Sequence, residues 1–426
     1  MRQFAARAYE LEGGPRAAGD LAIAAQLVVS GSSSKCLNHV SVCTGDSPLC
    51  SAAGRGDALQ IQLLLDARCA VDMPNSLGDM PLSVAAACGH ADCAALLINY
   101  SADLWAQSGP FHERPLVSAC RHGHVQVLEL LWQQSASSTP PVLAGCVDAM
   151  SPDALWWEKS GDAAQCLLAA GRRGHVEVLR RLCDLMDVTP GAAPQGVRVL
   201  RDAVDKEGRN ILFVAAMNGF GEVIKFVCQT LAENHLLCCL HATDLRGRTP
   251  LMVGAERGHV SVVDYLSASG GQELLVRTTE THWNCMLKAA QFGHLSVVRL
   301  LAERGGPQLL FQTDLRGWSC LHLAAFWGQT EVVEFLLERG GSKLCCLHNV
   351  SGNTALWGAV TKGHLSIVER LCDTGGPQVL GDVPALRRAF ANACANGFDD
   401  AALAVQSRFK EQLIQPDSEQ NLLVTG

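Results

Sequence analysis

A glycine returns every 35 residues, at Gly258, Gly293, Gly328 and Gly363. The strings around them agree position by position: "TPLMVGAERGHVSVVDYL", "NCMLKAAQFGHLSVVRLL", "CLHLAAFWGQTEVVEFLL" and "TALWGAVTKGHLSIVERL". A second marker keeps the same beat in the pairs Gly270-Gly271, Gly305-Gly306, Gly340-Gly341 and Gly375-Gly376. Three residues after each comes an apolar pair: Leu274-Leu275, Leu309-Leu310, Leu344-Cys345 and Val379-Leu380. Further copies centre on Gly89, Gly123, Gly174 and Gly219, with a weaker one at Gly56 and a degenerate one at Gly397, about ten in all. Self-similarity at a period of this size is the signature of an array of small units, each too small to bury its own apolar face.

Each copy reads as two helices. Thr249 offers a hydroxyl to cap a free N–H, and Pro250 suits the first helical position. Small residues such as Ala85-Ala86 or Ala324-Ala325 allow close helix approach. Glycine then ends the short helix, because it accepts a left-handed conformation at little cost. A second segment such as "EVVEFLLERG" carries apolar residues at three- and four-residue spacing, so one face is buried, and another glycine closes it. Turn chemistry follows, as in "DLRG" at 244–247 and 314–317. A first helix of roughly seven residues is marginal alone, since isolated helices need about 12–15. Stacking the copies supplies the missing burial. The expected fold is all-α, an α-solenoid of stacked helix-turn-helix repeats.

With T-P-L at 249–251, L-H-L-A-A at 321–325 and the recurring Gly-His, the chain resembles the ankyrin repeat family over roughly residues 45–408, most cleanly 205–373. Family repeats are typically about 33 residues, so two extra residues fall in connections of the "GGPQLL" type. The resemblance implies β-hairpin-like connecting turns opposite the helices. It also implies a concave surface of turn tips and first helices that binds other proteins, and it implies no catalysis.

The beat is uneven. Gly123 to Gly174 spans 51 residues, Gly174 to Gly219 spans 45, and Gly219 to Gly258 spans 39. The expected organisation is a partly flexible non-repeat segment over 1–44, whose "LAIAAQLVV" caps the first repeat, then repeats 1–3 over 45–135. An insertion follows over 136–160, and repeats 4–10 over 161–408. Long connections are expected near 186–204, where "VTPGAAPQGVRVL" reads as a loop, and near 229–243, with a loose tail over 409–426. Trp156-Trp157 in the insertion suits packing against the stack better than an exposed anchor.

Composition narrows the function class. The formal net charge is −8, and the 34 Lys and Arg are scattered, which disfavours nucleic acid. No apolar run approaches the roughly 20 residues of a membrane helix. Glu10, Glu12 and Asp20 sit where a secretory signal needs a basic start. The 19 cysteines include no C-x-x-C pair, and many fall in apolar helical slots, so they read as packing residues in a reducing compartment, cytoplasm or nucleus.

Cys320 and His322 resemble a nucleophile and base, but other copies fill their slots with Pro250 and Met252 or Cys285 and Leu287, so packing and inter-repeat hydrogen bonding is the reading. The histidines after the glycines (His90, His124, His175, His259, His294 and His364) are expected to satisfy backbone groups. Cys36, His39, Cys43 and Cys50 resemble a zinc set without its tight spacing, and no metal or other cofactor is expected. Motifs for phosphate binding, zinc proteolysis and serine hydrolysis are absent.

The remaining candidates are aromatic. Trp283, Phe292, Trp318, Phe326 and Trp327 fall on turn-tip and first-helix slots, with Arg246, Arg248 and Arg316 beside them. They are read either as a partner groove rimmed by the arginines, since aromatic and Arg side chains dominate interface energetics, or as rings packed between repeats. The functional expectation is a non-enzymatic scaffold that binds partner proteins through its concave face. The alternative is a substrate-recognition adaptor of a larger enzyme complex such as a ubiquitin ligase.

Overall fold

The structure, a computed structural model, describes residues 46–110, 112–137, 162–187, 195–233 and 237–410. The expected N-terminal cap, Trp156-Trp157, the ligands Cys36, His39 and Cys43, and the tail beyond 410 lie outside them. Among the described residues there are helices and turns with no sheet, and isolated β-bridges such as Ser108–Glu113 and Thr313–Ser319. Contacts divide the chain between Val204 and Asp205 into two compact units.

The first unit is a stack of helix pairs: Pro48–Arg55 with Ala58–Asp66, Pro81–Cys88 with Ala91–Asn99, Pro115–His122 with Val125–Ser137, and Asp162–Arg173 with Val176–Met186. The second begins at Ile211–Asn218 with Gly221–Glu233. It continues through Pro250–Arg257 with Val260–Val276, Cys285–Phe292 with Leu295–Leu310, Cys320–Phe326 with Thr330–Cys345, and Ala355–Lys362 with Leu365–Gly375. Val383–Ala395 with Asp399–Arg408 is its last described pair. Within each unit, first helices pack on first helices and second on second, which makes each unit an all-α solenoid of the expected kind.

The first helices pack closely because their facing residues are small. Ala289, Ala290, Ala324, Ala325 and Ala359 are wholly buried. Apolar side chains of the second helices fill the space between the two rows. Val297, Val298 and Leu301 are fully buried, each stabilising by about 1.5–3 kcal/mol over exposure. The caps match the sequence. The Thr249 hydroxyl accepts from the Met252 N–H, the Asn284 side chain from Leu287, and Ser319 from His322.

Two features go beyond the sequence reading. The glycine pairs do not simply end the second helix. Gly306, at φ 59° and ψ −160°, takes a conformation open essentially to glycine alone and splices on one more helical turn, which carries Leu309 and Leu310 into the core. A Cβ on the preceding Gly305 would lie 2.5 Å from Leu309 Cδ2, so its bareness makes room for that fold-back. The extra residues of the 35-residue period therefore extend the core.

The reading of "VTPGAAPQGVRVL" as a loop is corrected for its second half, where a helix runs over Gln195–Asp202. Val197 and Leu200 on one face are buried while Arg198 is exposed. Gly196 lies so close to the preceding helix that a Cβ would sit 2.7 Å from the Cys183 carbonyl oxygen. The Asp187 carboxylate accepts from the Gly196 N–H at 2.7 Å, which anchors the start. Two well-spaced apolar residues were too few to reveal this helix beside Pro194 and its glycines. In the other long connection, residues 237–241 form a 3-10 turn.

Candidate protein-binding face

The connecting turns are built by one recurring bond pattern. Asp244 accepts from the N–H groups of Arg246 and Arg248 at 3.0 and 2.8 Å, and Asp314 from those of Arg316 and Trp318 at 2.9 and 2.8 Å. Asn349 treats Ser351 and Asn353 alike. The carboxylate or amide thus holds a hairpin-like turn that the short connection could not hold by itself. Successive turns are laced together, since Leu315 N–H donates to Thr281 O at 3.3 Å and Val350 N–H to Arg316 O at 2.9 Å. Their outermost side chains form a row in which Leu245, Leu315 and Val350 are 79%, 56% and 80% exposed.

Inside this row lie the aromatic side chains. Trp318 is half-buried and meets Phe326 edge-on at 5.4 Å between ring centroids and Trp357 at 6.4 Å. Phe326 continues the chain of rings to Trp327 at 5.6 Å. In the copy before, Lys288 lies over Trp283 at 4.6 Å and over Phe292 at 5.9 Å. In the copy after, Lys362 lies over Phe326 at 4.8 Å. Phe326 fits there because the facing residue is Gly358, whose added Cβ would come within 3.2 Å of the Phe326 Cβ. Trp283, Trp318 and Phe326 are thus partly packed, whereas Phe292 and Trp327 are 47% and 53% exposed. Trp357 belongs to the cluster but was not singled out from sequence; it stands in the slot that His322 fills in the copy before, between the turn-tip and helix-end slots used to choose the others.

The three arginines part company. Arg248 is tied down by Asp244, with Nε to Oδ2 at 2.9 Å, and lies 3.6 Å from Glu256. Arg246 and Arg316 are exposed at the turn tips and make no ion pair among the described residues.

Cys320 and His322 form a joint. His322 is buried and completes a capping box with Ser319, and its Nε2–H donates to the Asn353 carbonyl of the next copy at 3.0 Å. That bond makes Nδ1 the acceptor, in line with its 2.8 Å contact to the Ser319 hydroxyl. Burial holds the imidazole pKa down at about 4, with only partial opposition from the Asn353 bond. The Cys320 thiol donates to Leu310 O at 3.3 Å, and burial pushes its pKa up to about 12, far from a thiolate nucleophile. Cys285 does the same in its own copy, toward Leu275 O. Cys50, the described member of the zinc-like set, is buried in the slot that His322 fills in its own copy and donates to Asp79 O at 3.3 Å.

The histidines after the glycines bridge neighbouring copies. Nε2 of His90, His124, His175, His259, His294 and His364 lies 2.9–3.3 Å from the carbonyl of Gly54, Ala87, Arg121, Met217, Glu256 and Phe326 in turn. Each acceptor sits two residues before the preceding copy's helix-ending glycine. Gln329 takes this role where histidine is missing and reaches Gln291 O at 3.3 Å.

A family model described as ankyrin repeats (3 copies) matches residues 16–108, 49–140, 167–277, 227–311 and 286–380. Over 85 residues the chain is 38% identical to a protein of Oryza sativa subsp. japonica named as a probable E3 ubiquitin-protein ligase, XBOS33. That similarity covers 20% of this chain and 16% of the rice protein's length. No described helix is long and apolar enough to cross a membrane.

Proposed function

The chain belongs to the ankyrin repeat family, and from that premise we propose that it is a non-enzymatic protein-interaction scaffold. Its docking face is the turn tips and first helices of the copies spanning residues 244–362. The observation that carries this reading is the exposure of Phe292 and Trp327 at one repeat slot, 47% and 53%, beside rings that are partly buried. An indole left half in water amid aromatic neighbours is the profile of an interface anchor. Trp283, Trp318 and Phe326 hold that pair in place, and Arg246 and Arg316 stand on the rim, with Arg248 fixing its turn. The laced turns make the face rigid before any partner arrives, which limits the ordering cost of binding.

A photo-crosslinking residue at position 327, in the full chain in its native cell, tests this. Protein adducts that disappear when the residue is moved to Arg339 on a second helix support the face. Equal labelling from both positions would sink it.

A second reading is favoured by the similarity to the rice protein: the face recruits substrates to a ubiquitin-transfer complex. Its test is whether the crosslinked partners gain ubiquitin when the chain is present and lose it with Trp327→Ala. Partners whose ubiquitin does not respond leave the scaffold reading alone.

A further inference from the structure

Resting on that docking face, we infer that its occupant is an acidic, extended peptide segment bearing bulky aliphatic side chains at about every third residue. Charge is distributed differently on the two rows of helices. On the second helices of this unit, four arginines are matched across copies: Arg304 with Asp264, Arg339 with Glu303, Arg370 with Glu334 and Arg408 with Asp373, while Arg299 lies over the Phe335 ring instead. On the tips and first helices the pattern reverses. Arg246, Arg257, Arg316 and Lys362 are exposed and have no carboxylate within ion-pair distance among the described residues. The carboxylates nearest in sequence are already engaged: Asp244 and Asp314 bind turn N–H groups, and Glu256 lies 3.6 Å from both Arg248 and Lys288. Glu280 is exposed in the row of tips, as is Glu207 in the turn before, where it pairs with Arg209. A chain of net charge −8 thus keeps unpaired cations together on the face that also carries Phe292 and Trp327.

Surface cations of this kind steer an oppositely charged partner and reject a like-charged one. The apolar contribution comes from Phe292 and Trp327, which are one copy apart, with Leu315 and Val350 along the tips. Packed helices lie about 8–10 Å apart, and an extended chain advances about 3.3 Å per residue. One aliphatic anchor per copy therefore needs a spacing of about three residues, and acidic side chains between anchors meet the cations at the rim.

The test is fluorescence anisotropy with the full chain. The probe is a labelled peptide of about twelve residues with Leu at every third position and Glu or Asp between. Two counterparts replace the acids by Lys or the leucines by Ser. The expected result is saturable binding of the first peptide alone, weakened by salt. The triple variant Arg246→Glu, Arg316→Glu, Lys362→Glu should weaken it about tenfold, and Trp327→Ala should weaken it too. Arg339→Glu on the second helix should leave it unchanged, and unchanged melting curves show that the variants fold. The inference is overturned if the Lys peptide binds as well as the acidic one or if no peptide binds. It is also overturned if the Ser peptide binds as well, because the face is then a general polyanion site open to nucleic acid. Crosslinks from position 327 that persist when the acidic peptide fails leave the docking face standing with a partner of other chemistry. Loss of both removes the face itself.

Discussion

The imidazole of His294 occupies the space that a side chain on Gly258 would need: a Cβ there would lie 2.5 Å from the ring Nδ1. The glycine has φ 77° and ends its helix, so one missing side chain serves both the cap and the joint to the next copy. Gly258→Ala should therefore cost at least about 1–2 kcal/mol from the left-handed backbone, and more from the blocked ring. Hydrogen exchange on residues 250–257 would register it. In the double variant with His294→Ala the loss should be smaller than the sum of the single losses, because the clash is shared.

His322 gives the second unit an acid sensitivity whose sign is fixed. Its pKa is about 4 in the folded chain, against about 6.5 unfolded. The unfolded state therefore takes up the proton first. Stability is full above about pH 6.5 and falls as pH drops toward 4. The cost at the bottom of that window is on the order of 3 kcal/mol. Urea midpoints across the window should show the slope for the wild type, and His322→Gln should flatten it.

Trp318 and Trp327 should separate packing from binding. Trp318→Ala removes ring contacts to Phe326, Trp357 and His322 and should lower stability by about 2–4 kcal/mol. Trp327→Ala, at 53% exposure, should change stability by less than about 1 kcal/mol while reducing the partners captured by a photo-crosslinking residue placed at Leu315. Melting curves and crosslink yield together check this.

Thiol labelling should follow burial. Brief iodoacetamide treatment of the native chain should modify the exposed Cys88 and Cys394 and spare Cys285 and Cys320. Mass spectrometry of the digest would read the order, and urea should abolish it.

His282 sits at φ 58°, where the equivalent turns place Gly247, Gly317 and Gly352. His282→Gly should stabilise the second unit by up to about 1 kcal/mol, visible as a higher melting temperature.

How much of this was legible depended on whether a feature repeats. The helix pairs, the cap at Thr249 and the burial of Cys320 follow from slots filled again and again. The bridging role of the histidines was readable in kind, but their acceptor carbonyls lie in another copy and required coordinates. The extra turn after Gly306 was hidden because glycine pairs normally signal an ending. The turn at 279–283 carries a threonine and a histidine where Asp and Gly are expected, and Thr279 still accepts from the Trp283 N–H at 3.1 Å. Of the proposed face, side-chain types were visible from sequence. The degree to which each ring is covered was not, because it depends on neighbours such as Gly358 and Trp357.

The link between a histidine and the carbonyl of the copy before it has a bearing on how such a chain could lengthen. Because the donor, the acceptor and the bare glycine recur in the same register at several boundaries, a duplicated block such as 259–293 would arrive with both halves of its coupling ready-made. Gly363 faces Phe398 instead, a ring with no nitrogen to offer, so that boundary is not interchangeable with the others, and duplication should be tolerated upstream of it and not across it.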